Sequence, residues 1–103
     1  MEEKTRKKDF DKFLKRLHSM QRDCFKQGSR SSIEVRPLFD EDGRFTIYVT
    51  GYNLNVNRWF EKSDGTKEAY HFENFPLYDF WSVEENENQL KKLQDFVTSK
   101  GDE

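Results

Sequence analysis

Arg44-Phe45-Thr46-Ile47-Tyr48-Val49-Thr50-Gly51-Tyr52 is the stretch that decides the fold. Phe45, Ile47 and Val49 fall on one side of an extended chain, and Thr46, Tyr48 and Thr50 on the other. That period of two predicts a half-buried β-strand. Asp40-Glu41-Asp42-Gly43 before it has the composition of a turn. Ile33 to Phe39, further back, reads as a partner strand, and Pro37, which lacks an amide proton, places that strand at an edge or end. Gly51 is expected to mark a bulge or bend. Leu54 to Lys62 alternates again, with Leu54, Val56 and Phe60 inward and Asn53, Asn55, Asn57 and Trp59 outward. Ser63-Asp64-Gly65-Thr66 is a hairpin signal, and Lys67 to Phe72 is a shorter fourth strand. Glu73 to Trp81, with a proline and four aromatics, reads as a structured loop.

Helical spacing brackets the strands. From about residue 4 to 26, Phe10, Phe13, Leu14, Leu17, Met20, Cys24 and Phe25 recur every three or four positions, the mark of one buried helical face. Gly28 suits a carboxyl-terminal stop, and Ser29-Arg30-Ser31-Ser32 a connector. Ser82-Val83-Glu84-Glu85 matches a capping box with Ser82 as N-cap. A second helix follows to about Ser99, with Val83, Leu90, Leu93 and Val97 on one face. The expected fold is therefore α+β in a single domain, residues 1–103. An N-terminal helix, a three- to four-stranded antiparallel meander and a C-terminal helix (α-β-β-β-(β)-α) follow in order, with ends frayed at about 1–4 and 101–103. If both helices pack on one side of the sheet, the other side is open to solvent or to a partner.

Composition bounds the function. The 103 residues suffice for one domain. Only 33% are apolar and 37% charged, yet 16% are aromatic, which predicts a thin, aromatic-rich core rather than disorder. The charge is bipolar: residues 1–30 carry ten Lys/Arg against five Asp/Glu, whereas residues 61–103 carry five Lys against eleven acids. Cys24 is the only cysteine, so no intramolecular disulfide forms. The charged start, without an apolar run after it, argues against a signal peptide. A reducing cytoplasm is the expected location.

Catalysis finds little support. His18 and His71 are the only histidines. His18 and Cys24 point about 120° apart on a helix and form no dyad. A buried thiol is the ordinary reading of Cys24. No nucleophile elbow, phosphate loop or cofactor fingerprint occurs, so the expectation is a protein that is not an enzyme and needs no cofactor. His18, Cys24, His71 and Glu73 are weak metal candidates, since none has a metal-ligand spacing.

Binding surfaces are better represented. Lys8, Lys12, Lys15, Arg22 and Lys26 lie within about 80° of arc opposite the apolar stripe. They form either a solvated helix face or a track for phosphates. Tyr48, Tyr52 and Trp59 are expected on the outward sheet face, where aromatics stack nucleobases or anchor protein interfaces. Tyr78 and Trp81 belong to the most apolar segment, Phe75 to Trp81. Glu84, Glu85 and Glu87 begin an acidic second helix that suits a basic groove.

Helix, three strands, helix is also the order of double-stranded-RNA-binding domains. The acidic Val83-Glu84-Glu85-Asn86-Glu87, where those domains have a basic helix start, would repel phosphate and excludes that family. In being short, charged and aromatic-rich without catalytic motifs, the chain resembles small accessory proteins of phages and mobile elements, anti-CRISPR and other host-defence inhibitors among them. The resemblance implies a protein partner such as a nucleic-acid enzyme. The surfaces above offer Tyr48, Tyr52, Trp59, Tyr78, Trp81, Glu84, Glu85 and Glu87 as the residues expected to bind it. The alternatives are a nucleic-acid-binding regulator using Lys8, Lys12, Lys15, Arg22 and Lys26, and a structural subunit or homodimer.

Overall fold

The computed structural model describes residues 4–26, 30–39 and 41–101. The expected stop at Gly28 lies outside these residues, as do most of the ends expected to fray. Helix α1 (Lys7–Lys26) buries Phe10, Phe13, Leu17 and Cys24. Its amino end is closed by the Asp9 carboxylate, which accepts from the Arg6 amide at 3.2 Å. Phe25 departs from expectation and is 86% exposed, because helical geometry turns it about 90° from the centre of the buried stripe.

Six strands follow: β1 (Ser31–Phe39), β2 (Phe45–Asn53), β3 (Arg58–Glu61), β4 (Lys67–Tyr70), β5 (Phe72–Asn74) and β6 (Leu77–Tyr78). β1 and β2 pair antiparallel along their whole length, with Ile33 opposite Gly51, Val35 opposite Val49 and Pro37 opposite Ile47. Gly43, at φ +79°, takes the left-handed position of the turn between them. Pro37 sits on the edge strand, as its missing amide proton requires.

The sheet differs from the expected meander in its third position. β5 and β6, not the 54–62 segment, pair with β2 on the side away from β1. β3 and β4 form a separate two-stranded ribbon. Asn53 is the physical reason. Read from alternation as outward, it is buried at the end of β2. Its Nδ2 donates to the Phe96 carbonyl at 2.8 Å and the Ser99 carbonyl at 2.9 Å, and its Oδ1 accepts from the Asn55 amide at 2.9 Å. Held to the end of the second helix, the chain turns there and leaves the sheet. Leu54 and Phe60, expected inward, are exposed, while Val56 is buried as expected.

The run from Lys67 to Asn74 then changes partner at His71. β4 pairs with β3; beyond it β5 pairs with β2, and the His71 carbonyl accepts from the Asn53 amide at 2.8 Å. Glu73 to Trp81, expected as a loop, supplies two of the sheet's short pairings and places Phe75 and Leu77 in the core. In the ribbon turn, Asp64 accepts from the Thr66 hydroxyl at 2.6 Å and the Thr66 amide at 2.9 Å. These bonds hold its carboxyl below the ordinary value.

Helix α2 (Val83–Thr98) starts at the expected N-cap: Ser82 Oγ accepts from the Glu85 amide at 3.1 Å. Glu85 answers with its carboxylate, which accepts from Ser82 Oγ at 3.5 Å. Leu90, Leu93, Phe96 and Val97 are buried, whereas Val83 is exposed. These residues join Phe10, Phe13 and Leu17 of α1 with Ile33, Ile47, Val49 and Leu77 of the sheet in one apolar cluster. Both helices therefore cover the same side. Gly51 is no bulge, since it keeps its regular pairing with Ile33. A β-carbon there would lie 3.0 Å from Leu93 Cδ1 and 3.2 Å from Phe96 Cδ2, so glycine lets α2 approach the sheet. Among the described residues, no helix is long and apolar enough to cross a membrane.

Candidate binding face

With both helices on one side, the other side of the sheet is uncovered. The register assigns its residues: Glu34, Arg36 and Leu38 of β1 lie opposite Thr50, Tyr48 and Thr46 of β2, and Phe72, Asn74 and Tyr78 lie beyond them. Tyr48 is 47% exposed, Tyr52 39% and Phe72 41%, a surface share that side chains of this size lose when they enter a core.

The rings form a connected row. Tyr52 and Phe72 have centroids 6.2 Å apart, Phe72 and Tyr70 5.0 Å, and Tyr70 and Phe60 5.9 Å. The row therefore runs from the main sheet onto the ribbon, because one strand run carries Tyr70 and Phe72 across the change of partner. Thr50 and Asn74 beside it are joined side chain to side chain at 2.9 Å. The Tyr52 hydroxyl donates to Glu34 at 3.4 Å. Loss of hydration first, then the Glu34 carboxylate, pushes the Tyr52 phenol above its ordinary value. An ultraviolet titration compared with Tyr52→Phe is expected to assign Tyr52 a midpoint above 10.0. Because the folded form favours the neutral phenol, the associated stability is present below that pH and lost above it.

The other residues singled out from sequence divide into several groups. Trp59 is exposed, but alternation along β3 points it to the opposite side of the ribbon from Phe60. Tyr78 and Trp81 are half-buried and form a second aromatic group with exposed Phe80. Tyr78 stacks on Phe80 at 4.9 Å and meets the edge of Trp81 at 4.7 Å. Glu84 and Glu85 are exposed on the first turn of α2, whereas Glu87 is taken by Arg16 of α1 at 2.6 Å. Lys8, Lys12, Lys15, Arg22 and Lys26 are all exposed. Lying opposite the buried stripe of α1, they face away from the sheet, on the far side of the molecule from the aromatic row. Lys15 is paired with Asp11 at 3.2 Å.

The metal candidates do not converge. His18 Nδ1 meets Gln21 Oε1 at 2.8 Å, His71 Nδ1 meets the Val56 carbonyl at 2.9 Å, and Glu73 accepts from Arg58 Nε at 3.3 Å. Cys24 is buried, with the Ser31 hydroxyl 3.6 Å from its sulfur. Among the described residues, no three His, Cys, Asp or Glu side chains could hold a metal ion together.

Sequence reading missed Phe60, Tyr70, Phe72 and Phe80. The signal for two of them was present: Tyr70 and Phe72 are two apart in an extended run and so share a face. Comparison of the chain with family models, with curated proteins and with solved structures finds no match.

Proposed function

We propose that the chain is a non-enzymatic binding module that acts by occupying a partner protein's surface with its open sheet face. The observation that carries this reading is the connected row Tyr52, Phe72, Tyr70 and Phe60, in which Tyr52, Phe72 and Phe60 are exposed and Tyr70 is half-buried between them. Large rings fixed on a sheet and rimmed by Thr and Asn have the composition of an interface centre. Such a row also stacks nucleobases, but single-strand binding combines stacking with a basic groove on the same side. Here the basic stripe lies on the opposite side, which favours protein over nucleic acid.

The specific form of the reading is a cytoplasmic inhibitor of a nucleic-acid enzyme, of the phage or mobile-element kind that includes anti-CRISPR proteins. Exposed Glu84 and Glu85, close in the chain to the Tyr78, Phe80 and Trp81 group, would face the basic rim of such an enzyme's groove.

Affinity capture from nuclease-treated bacterial lysate, at low and high salt, tests the class. A stoichiometric protein retained in both is expected. Recovery of nucleic acid alone from untreated lysate, lost with salt and abolished by Lys12→Glu, Lys15→Glu and Arg22→Glu together, would replace this reading with the basic-stripe one. Against the captured partner, Phe72→Ser is expected to weaken binding about 30-fold, the roughly 2 kcal/mol of an interface hot spot. Its circular dichroism should match that of the parent, and unchanged affinity would remove the aromatic row from the interface.

A further inference from the structure

We propose that the chain also binds double-stranded DNA, without regard to sequence, through the outward face of α1. Lys8, Lys12, Lys15, Arg22 and Lys26 fill an arc of about 80° and run about 27 Å along the helix axis, at about 1.5 Å per residue. All five are exposed. Ser19 is the one other residue of α1 in that arc, and the nearest acids, Asp11 and Asp23, sit at its two margins. Asp11 is held by Lys15 at 3.2 Å, and Glu87, which reaches α1 from α2, is held by Arg16 at 2.6 Å. Lys8, Lys12, Arg22 and Lys26 meet no acid at ion-pair distance among the described residues.

This face costs the free chain stability. Lys8 and Lys12 are like charges four residues apart, as are Arg22 and Lys26, and Lys12 and Lys15 are three apart. At these spacings like charges are neighbours on the helix surface and repel. Lys8 also stands on the first turn, at the positive end of the helix dipole. Of the five, only Lys15 has an acid to offset this among the described residues. A line of phosphates would turn each repulsion into an attraction and release its own condensed counterions.

The composition of the face selects the occupant. A membrane-surface helix inserts apolar side chains, and the arc holds none. A protein interface is centred on aromatic anchors, which the arc also lacks. Single strands need rings on which their bases stack. Duplex RNA is recognised in part through 2′-hydroxyls across two minor grooves, for which one helix face of Lys and Arg has no matching groups. The arc offers charge in a line, and sequence-independent contact with the DNA backbone uses charge. The aromatic row is on the far side of the molecule, so this contact neither competes with the proposed protein partner nor rests on it.

Fluorescence anisotropy of a labelled DNA duplex of arbitrary sequence, titrated with the purified chain, is expected to give a Kd of roughly 10⁻⁶ to 10⁻⁴ M at physiological salt. The logarithm of the affinity should fall with that of the salt concentration at a slope of about −4.5, five contacts at about 0.9 each. Lys12→Gln with Arg22→Gln should flatten the slope to about −2.7 and weaken binding about tenfold or more at low salt. The Tm of that double variant should equal or exceed the parent's, because it relieves the repulsion of Lys12 with Lys8 and of Arg22 with Lys26. Phe72→Ser should bind the duplex as the parent does. A duplex left unbound at low salt overturns the proposal, as does binding that the double variant leaves unchanged. So does tighter binding of single-stranded DNA or duplex RNA of the same sequence. Binding to polyglutamate or to phosphatidylserine vesicles, with none to the duplex, overturns it as well.

Discussion

Asn86→Ala is expected to lower stability by about 3 kcal/mol, seen as a fall in Tm of roughly 15 °C in a thermal melt. Asn86 is fully buried on the first turns of α2. Its carboxamide closes both backbone groups of Tyr78 at the sheet edge, and Nδ2 also donates to Thr5 Oγ1 at 2.7 Å. Thr5 in turn holds the Trp81 carbonyl, through its amide at 2.9 Å and its hydroxyl at 2.7 Å. One side chain therefore ties the segment before α1, strand β6 and helix α2 together. Alanine removes it and leaves buried partners unmatched, which costs more than the bonds contributed. A folded domain of this class has about 5–15 kcal/mol in total, so the loss is a large fraction. Asn86→Asp is no rescue, because it keeps the acceptor for the Tyr78 amide but buries a charge and loses both donors. A fall of only a few degrees would show that water replaces the carboxamide at this edge.

Local spacing explains what was legible. The alternation from Phe45 to Val49, the stripe from Phe10 to Cys24, Ser82 as N-cap and Pro37 on an edge strand each depend on neighbours a few residues away. The partner change at His71 does not. It depends on Asn53 binding Phe96 and Ser99, more than forty residues on, and an asparagine that does this is indistinguishable in sequence from one facing solvent. Alternation alone therefore sets Asn53 outward, and the alternation of Leu54, Val56 and Phe60 sets the 54–62 segment in the sheet. The same limit applies to the candidate face. Tyr48 and Tyr52 follow from alternation. The row joining Tyr52 to Phe60 follows only from the pairing of Tyr52 with Phe72 and the ribbon pairing beyond it.

Asn53→Ala tests whether this long-range tie also shapes the candidate face. Its removal leaves the Ser99 carbonyl and the Asn55 amide without the Asn53 side chain and the Phe96 carbonyl with the longer bond from the Ser99 amide at 3.4 Å, at an expected cost of about 2–3 kcal/mol. Water reaches part of the helix end, which keeps the figure below that for Asn86. Asn53→Asp would retain the acceptor for Asn55 but set a carboxylate against the carbonyl end of α2, the wrong sign for a helix terminus. Hydrogen exchange should quicken first in the last turn of α2 and in β5, the elements on either side of Asn53. Tyr52 and Phe72 lie immediately beside this junction, and their contact depends on β5 keeping its register with β2. Asn53→Ala should therefore weaken binding to a captured partner even well below its Tm, although Asn53 is itself buried and presents nothing to a partner. Phe72→Ser should weaken the same binding with little change in Tm. Loss of stability without loss of affinity in Asn53→Ala would mean that the ring row holds its geometry without this asparagine, and that β2 and β5 alone position it.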